Sequence, residues 1–342
     1  MRLKSLLKLS VLAGAVMLIT GCSQTVTLTG LKPAPTPKAL EYGTVAVLPL
    51  KNDAVNMTAH LETLLQNKTV NGKNVFKVVS RDNLKGLLDE QALQNSNLVS
   101  KRKDKTVEEL IGADAIITGV VDDTIVRDTH YYKIKQECRG DNCKYLVDVR
   151  VSCVKRAIST NASFKMTDVR TGEVVTSKNF FDSETRRVCQ DDSYGFLQTE
   201  SIIYKLQKNI AKRFVNSITP NTYKMRAVIA EDEPVIDLTS KQEDMVEQGV
   251  SAIKHRILSK ADTIFKTILD QQPKSYVANY NLGIIAEMRG NYSDAREFYL
   301  RCTHLVEDFD DVPELSDSLN RIKNVMQEQK ATMKQMKALQ SK

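Results

Sequence analysis

The sequence predicts an α+β chain: a mixed α/β sandwich domain with a long antiparallel hairpin, followed by an all-α repeat domain. Three observations carry this. Short apolar runs alternate with amphipathic stretches over residues 42–120. A long alternating stretch runs into Arg170-Thr171-Gly172 and out again. After residue 240, small and aromatic residues recur at a spacing of 34. At 342 residues the chain is long enough for about two domains with cores of their own.

The chain opens MRLKSLLKLSVLAGAVMLITGC, with Arg2, Lys4 and Lys8 ahead of an apolar run from Leu9 to Ile19 and small residues just before Cys22. That is the layout of a secretory signal peptide over residues 1–21, and its end resembles a bacterial lipobox. The resemblance implies cleavage before Cys22, a covalent lipid on that thiol, and, with Ser23 next, sorting to the outer membrane. An ordinary signal peptide with a chance cysteine is the competing reading. A transmembrane helix needs ~20 apolar residues, more than this run supplies. Residues 22–41, with Pro33, Pro35 and Pro37, read as a Pro-rich tether.

The α/β domain is expected over residues 42–218. Thr44 to Leu50 reads as a buried strand. A helix near Ala54–Gln66 follows, its apolar face formed by Leu61, Leu64 and Leu65. Phe76 to Val79 is a second strand, Ser80-Arg81-Asp82 starts a helix carrying Leu84, Leu87 and Leu88, Val107–Ile111 is a short helix, and Ala113 to Gly119 leads into a third strand. The order of a VAVLPL strand, a helix, FKVVSRDNLKGLLDEQ and GADAIITG resembles the curli-secretion (curli production assembly/transport) lipoprotein family. The N-terminal domain of the Tol translocation protein and the lipoprotein activators of penicillin-binding proteins share the general layout. The resemblance covers about half the chain.

Ala162 to Val175 alternates into a loop ending in Gly172 and out again. A three-residue loop ending in glycine is a common hairpin connection. If Arg170-Thr171-Gly172 is that loop, Val169 faces Glu173, and counting outwards without a bulge brings Cys153 opposite Cys189. Directly paired residues lie ~4.5–5.5 Å apart at Cα, within disulfide reach, so the register predicts Cys153–Cys189. Cys138 and Cys143 flank a turn and suit a local bridge. Pairing of either with Cys153 or Cys189 stays open, and a zinc site lacks the close cysteine pairs and nearby histidine it would use.

Thr199 to Ser217 reads as a helix with Ile202, Ile203, Leu206, Ile210 and Phe214 on one face. Residues 219–240, with Pro220, Pro234 and Glu231-Asp232-Glu233, are the expected linker, though Met225 to Ala230 could add an edge strand. Residues 241–342 form the repeat domain. Gly249 and Gly283, Ala261 and Ala295, and Phe265 and Tyr299 are each 34 apart, the tetratricopeptide period. Asn279-Tyr280-Asn281-Leu282-Gly283 is similar to that repeat's motif. Asn279, Tyr280 and Asn281 are the candidate protein-binding residues of its groove, Cys302 takes a small buried position, and residues 314–338 read as a capping helix.

The formal charge is +7; cleavage before Cys22 would take Arg2, Lys4 and Lys8 with it and leave +4. There is no Lys/Arg block with interleaved aromatics, so nucleic acid is not an expected partner. His60, His130, His255 and His304 are scattered, and no nucleophile elbow or P-loop is present. No catalytic constellation, metal site or cofactor other than the lipid on Cys22 is expected. The expected partners are the membrane, through the lipid, and periplasmic or outer-membrane proteins, with self-association among the options. The sequence thus reads as an outer-membrane, periplasm-facing lipoprotein acting as a non-catalytic scaffold or adaptor in envelope assembly or secretion. The alternatives are a subunit of a curli-type secretion channel, with residues 122–152 and 176–200 as its hairpins, and an activator of a cell-wall synthase.

Overall fold

The computed structural model describes residues 24–79, 112–192 and 198–340. Cys22, with the whole signal segment, and the helices expected from Ser80 and over Val107–Ile111 lie outside the described residues. The described residues divide into two compact units, one of residues 30–223 with 324–340, the other of residues 24–29 with 224–323.

The first unit is a mixed sheet with helices packed on it. Strands β2 (Thr44–Val47), β5 (Lys77–Val79) and β6 (Ala115–Val121) run parallel, β2 in the middle. Their Val- and Ile-rich sequences suit the sheet's interior, and Val45, Val47, Ala115 and Ile117 are fully buried. Helix α1 (Met57–Gln66) buries Met57, Leu61 and Leu65, spaced four apart. Its first amides are held by the Asp53 carboxylate, which accepts hydrogen bonds from Met57 N at 2.6 Å and Thr58 N at 2.8 Å. A two-residue hairpin, β3 (Thr69–Val70) with β4 (Lys73–Asn74), follows.

The sheet continues through β8 (Tyr145–Asp168), a strand of 24 residues. On one edge β8 pairs antiparallel with β6 and then with β7 (Ile125–Arg139); on the other it pairs with β9 (Val174–Cys189). Helix α2 (Thr199–Ile218) lies over its inner half. Phe164 stacks on Phe214 with ring centroids 4.6 Å apart, and Ile158 packs with Ile202 and Leu206. Four of the five apolar residues expected on the α2 face are buried, Ile203 only in part.

Residues 25–41 are not the extended tether the prolines suggested. Thr25–Lys32 is strand β1, paired with β10 (Asn221–Val228). Pro37–Glu41 is a 3-10 turn whose Ala39 and Leu40 are buried in the sheet unit's core. Proline fixes φ and so favours the first position of such a turn, and two apolar residues behind it supplied the burial. The linker expected over 219–240 likewise contains β10.

The second unit is helical: α3 (Ser240–Lys254), α4 (Leu258–Gln271), α5 (Tyr276–Met288), α6 (Tyr292–Thr303) and the start of α7 (Pro313–Gln340). The residues of α7 from Asn324 belong to the sheet unit, where Met336 joins the core, so the expected capping helix is longer than a cap. The 34-residue period is visible in the packing. A Cβ at Gly249 would lie 2.6 Å from the Phe265 ring, and one at Gly283 would lie 2.5 Å from the Tyr299 ring. Each glycine lets the aromatic of its partner helix sit against backbone. Glu287 is buried beside Arg321, 2.8 Å away, and accepts the Tyr299 hydroxyl at 2.7 Å. That hydrogen-bonded pair, with burial opposing it, holds the Arg321 guanidinium above its ordinary value.

Candidate functional site

Besides Cys22, which lies outside the described residues, two places carry the expected site residues: the helical groove at Asn279, Tyr280 and Asn281, and the cysteine-bearing hairpin. The groove residues are all buried, and most of their polar atoms bond to the chain's own backbone. Asn281 Oδ1 accepts from Ala230 N at 3.1 Å, and Asn281 Nδ2 donates to Ala230 O at 2.8 Å. One side-chain amide therefore satisfies both backbone groups of one residue, as a neighbouring strand would. Tyr280 Oη donates to Val228 O at 3.1 Å and meets Ser318 Oγ at 2.8 Å. Asn279 Nδ2 donates to Ser275 O at 2.8 Å, an intrahelical bond, while its Oδ1 is buried with no hydrogen-bond partner among the described residues.

These residues do not present an open surface, which corrects the expectation of a free groove. The segment Val228–Pro234 fills it, with Ile229 and Ala230 buried. The Glu233 carboxylate sits at the start of α5. It accepts Ser275 Oγ at 2.7 Å and the amides of Tyr276 and Val277 at 3.1 Å each. These are amides that a helix leaves without intrahelical partners, at the end where a negative charge is favoured. The Tyr276 hydroxyl donates to Glu314 at 2.7 Å, and burial followed by that carboxylate raises its pKa far above the ordinary value. Cys302 is a buried free thiol, raised first by burial and then by the charge of Glu233. It was expected as a buried structural thiol, and its environment makes it a poor thiolate. No sequence signal pointed to Glu233, which read as one of three linker acids.

A cavity of about 250 Å³ lies beside the segment. Glu231 and Asp232 of the segment line it, together with Tyr276, Asp311 and Glu314, and among the described residues no lysine or arginine lines it.

The hairpin carries both expected bridges, Cys138–Cys143 and Cys153–Cys189. Cys153 and Cys189 are directly paired in the β8–β9 register. The loop, however, is one residue longer than expected. Asp168 N donates to Glu173 O at 2.9 Å, so Val169–Gly172 form the loop. The register shifts between Met166 and Thr167, which pair with Thr176 and Val174. That bulge at Val175 restores the count before the cysteines are reached. The Asp168 carboxylate organises the loop, accepting the amides of Arg170 and Thr171 at 2.8 Å each and the Tyr42 hydroxyl at 3.1 Å. The Thr171 amide and Tyr42 hold the Asp168 carboxyl below its usual range. Burial and then this carboxylate push Tyr42 up to about 12.

Beyond Cys153, among the described residues, β8 pairs with β7 alone, forming a two-stranded ribbon closed by Cys138–Cys143. Tyr132, Ile134, Tyr145 and Leu146 are exposed on it. Asp128, His130, Asp148 and Arg150 alternate along the same face as Tyr132, Ile134 and Leu146. No helix of the described residues is long and apolar enough to cross a membrane.

Set beside known proteins, residues 42–212 match the family described as curli production assembly/transport component CsgG. That is half the chain, and the chain belongs to this family. No curated protein sequence matches it. Among solved structures it is similar to the lipoprotein GNA1162 from Neisseria meningitidis, at 15% identity over 51% of this chain and 99% of that one, with a TM-score of 0.21. It is also similar to a minor lipoprotein from Acinetobacter baumannii, at 10% identity over 52% and 90%, with a TM-score of 0.23. The PelC dodecamer from Paraburkholderia phytofirmans is a third, at 12% identity over 58% and 98%, with a TM-score of 0.22. Likenesses this slight do not extend the family match. Membership is consistent with a non-catalytic envelope or secretion role.

Proposed function

We propose that this chain is an outer-membrane-anchored, periplasm-facing lipoprotein that serves as a non-catalytic scaffold or adaptor in envelope assembly or secretion. Its lipid would sit on Cys22, and its tetratricopeptide-type helical unit would bind protein partners. The observation that carries this reading is the pairing of a CsgG-family domain with a 34-residue helical repeat whose glycine–aromatic contact recurs in both copies. Stacked helix pairs of this kind serve as binding surfaces. The ribbon's mixed faces favour a scaffold over a channel subunit. A lipid-facing barrel strand needs one apolar face, and Asp128, His130, Asp148 and Arg150 interrupt the face that carries Tyr132 and Ile134.

The test is crosslinking in intact cells, followed by purification in mild detergent and mass analysis. Metabolic labelling with palmitate, lost in the Cys22→Ala chain, checks the anchor. Recovery of secretion or appendage components supports the scaffold. Recovery of a penicillin-binding protein instead points to a synthase activator. Rings that conduct in planar bilayers would replace the scaffold with the channel.

A further inference from the structure

We propose that the groove across α5 and the first turns of α7 is a peptide-recognition site held in cis by Val228–Pro234. The partner it is built for is an extended segment with basic residues where this chain has Glu231 and Asp232. The inference rests on the reading of the helical unit as a protein-binding module and names its ligand chemistry.

Three observations carry it. Asn281 reads only the backbone of Ala230, through its N–H and its C=O, so any extended segment with a small residue there can take the same place. Three residues on, a carboxylate is required, because Glu233 holds the Ser275 hydroxyl and two otherwise open amides of α5. Between these two anchors the cis segment carries two exposed acids. Glu231 and Asp232 line a cavity that Asp311 and Glu314 also line, and no cation lines it among the described residues. Like charges brought together in this way weaken a contact, and opposite ones strengthen it. The segment is thus anchored at positions 230 and 233, while the exposed Glu231 and Asp232 add negative charge to an acidic lining. A partner reading small-basic-basic-acidic along its length would keep both anchors and set positive charge against Asp311 and Glu314. Being tethered, the cis segment competes at an effective concentration on the order of millimolar, so exchange needs such a gain.

The experiment uses the full chain in detergent and two fluorescein-labelled peptides read by polarisation. One has the sequence of residues 226–236, and the other is the same peptide with Glu231→Lys and Asp232→Lys. The Glu233→Lys chain, whose own segment loses its anchor, should bind the lysine peptide at least about tenfold more tightly than the unmodified one. The wild-type chain should bind both at least about tenfold more weakly than the Glu233→Lys chain does. Equal affinity for the two peptides overturns the proposal. So does failure of the Glu233→Lys chain to bind either one. Hydrogen exchange on the wild-type chain is independent of any variant's folding. Amides of residues 229–235 should exchange well before those of α5, and exchange in step with α5 would make the segment a fixed part of the fold. If crosslinked partners are recovered while the peptides fail, the groove proposal falls and the scaffold reading stands. Peptide exchange without any recovered partner is the reverse.

Discussion

The two halves of β8 solve the same problem by different means. The inner half, from Ile158 to Asp168, buries every second residue against helices and core. The outer half, from Tyr145 to Ser152, has only β7 beside it and no helix over it among the described residues. Its one apolar cluster is Val151, Cys153 and Cys189 with Tyr131. An isolated two-stranded ribbon is marginally stable in water, and here two disulfides stand where the inner half has Phe164 and Phe214. The difference teaches that stability along this strand passes from burial to covalent closure at Cys153. It also separates the unit's folding core from the ribbon, so the two should respond to different insults.

The largest effect is expected in the inner half. Phe164→Ala removes a ring stacked on Phe214 and leaves a void in the core, at a cost of about 3–5 kcal/mol. Denaturant unfolding should show the sheet unit losing most of its stability. Opening the Cys153–Cys189 bridge with the Cys153→Ser, Cys189→Ser chain comes next. The sequence separation of 36 gives a loop-entropy loss of about 4 kcal/mol at most. The comparison predicts where that loss is felt. Hydrogen exchange should rise over residues 131–152 and stay as it was over 158–166. A uniform rise along β8 would break the division drawn here.

The loop at the inner end gives a third, smaller effect with a pH signature. Asp168 accepts two amides and a hydroxyl, and hydrogen bonds to a charged group contribute about 1.5–3 kcal/mol. Its carboxyl is held below its usual range. Its stabilisation is therefore fully present above the unfolded carboxyl value of about 4 and is lost as pH falls through the lower folded value. The wild-type chain should be more stable than the Asp168→Ala chain at pH 7, and the gap should close in acid. A gap that stays constant down to pH 2 would assign the loop's stability to packing.

How much was legible in the sequence follows the same division. The inner sheet and α2 were readable because their burial is periodic, with Ile202, Leu206, Ile210 and Phe214 each four apart. The Cys153–Cys189 pairing was also readable, but through two errors that cancel. The loop is one residue longer than glycine placement suggested, and a bulge at Val175 takes the residue back. Bulges leave no reliable mark in a polar alternating strand. The 34-residue period was plain because a glycine must face each aromatic ring. The groove's occupant was not readable. Glu233 lies among acids in a proline-flanked stretch, and only the three-dimensional path brings its carboxylate to the start of α5. The burial of Ala39 and Leu40 was missed for a related reason, since prolines nearby outweighed two apolar residues too few to show a period.

The smallest effect should come from the bridge at the ribbon's tip. Cys138 and Cys143 are separated by 5, and closing so short a loop is worth about 2 kcal/mol at most in the unfolded chain. That ceiling applies only where the closed segment unfolds together with everything else. The tip does not meet this condition: Arg139 to Leu146 are exposed throughout, and the nearest core cluster begins at Tyr131 and Val151. Segments with so little burial open locally before the whole unit does. The Cys138→Ser, Cys143→Ser chain should therefore melt with the wild type, while amide exchange and proteolysis between residues 136 and 148 speed up. A lowered melting temperature for the sheet unit would mean that the ribbon folds with the core. The two halves of β8 would then be one cooperative element held at both ends, rather than a core with a stapled extension.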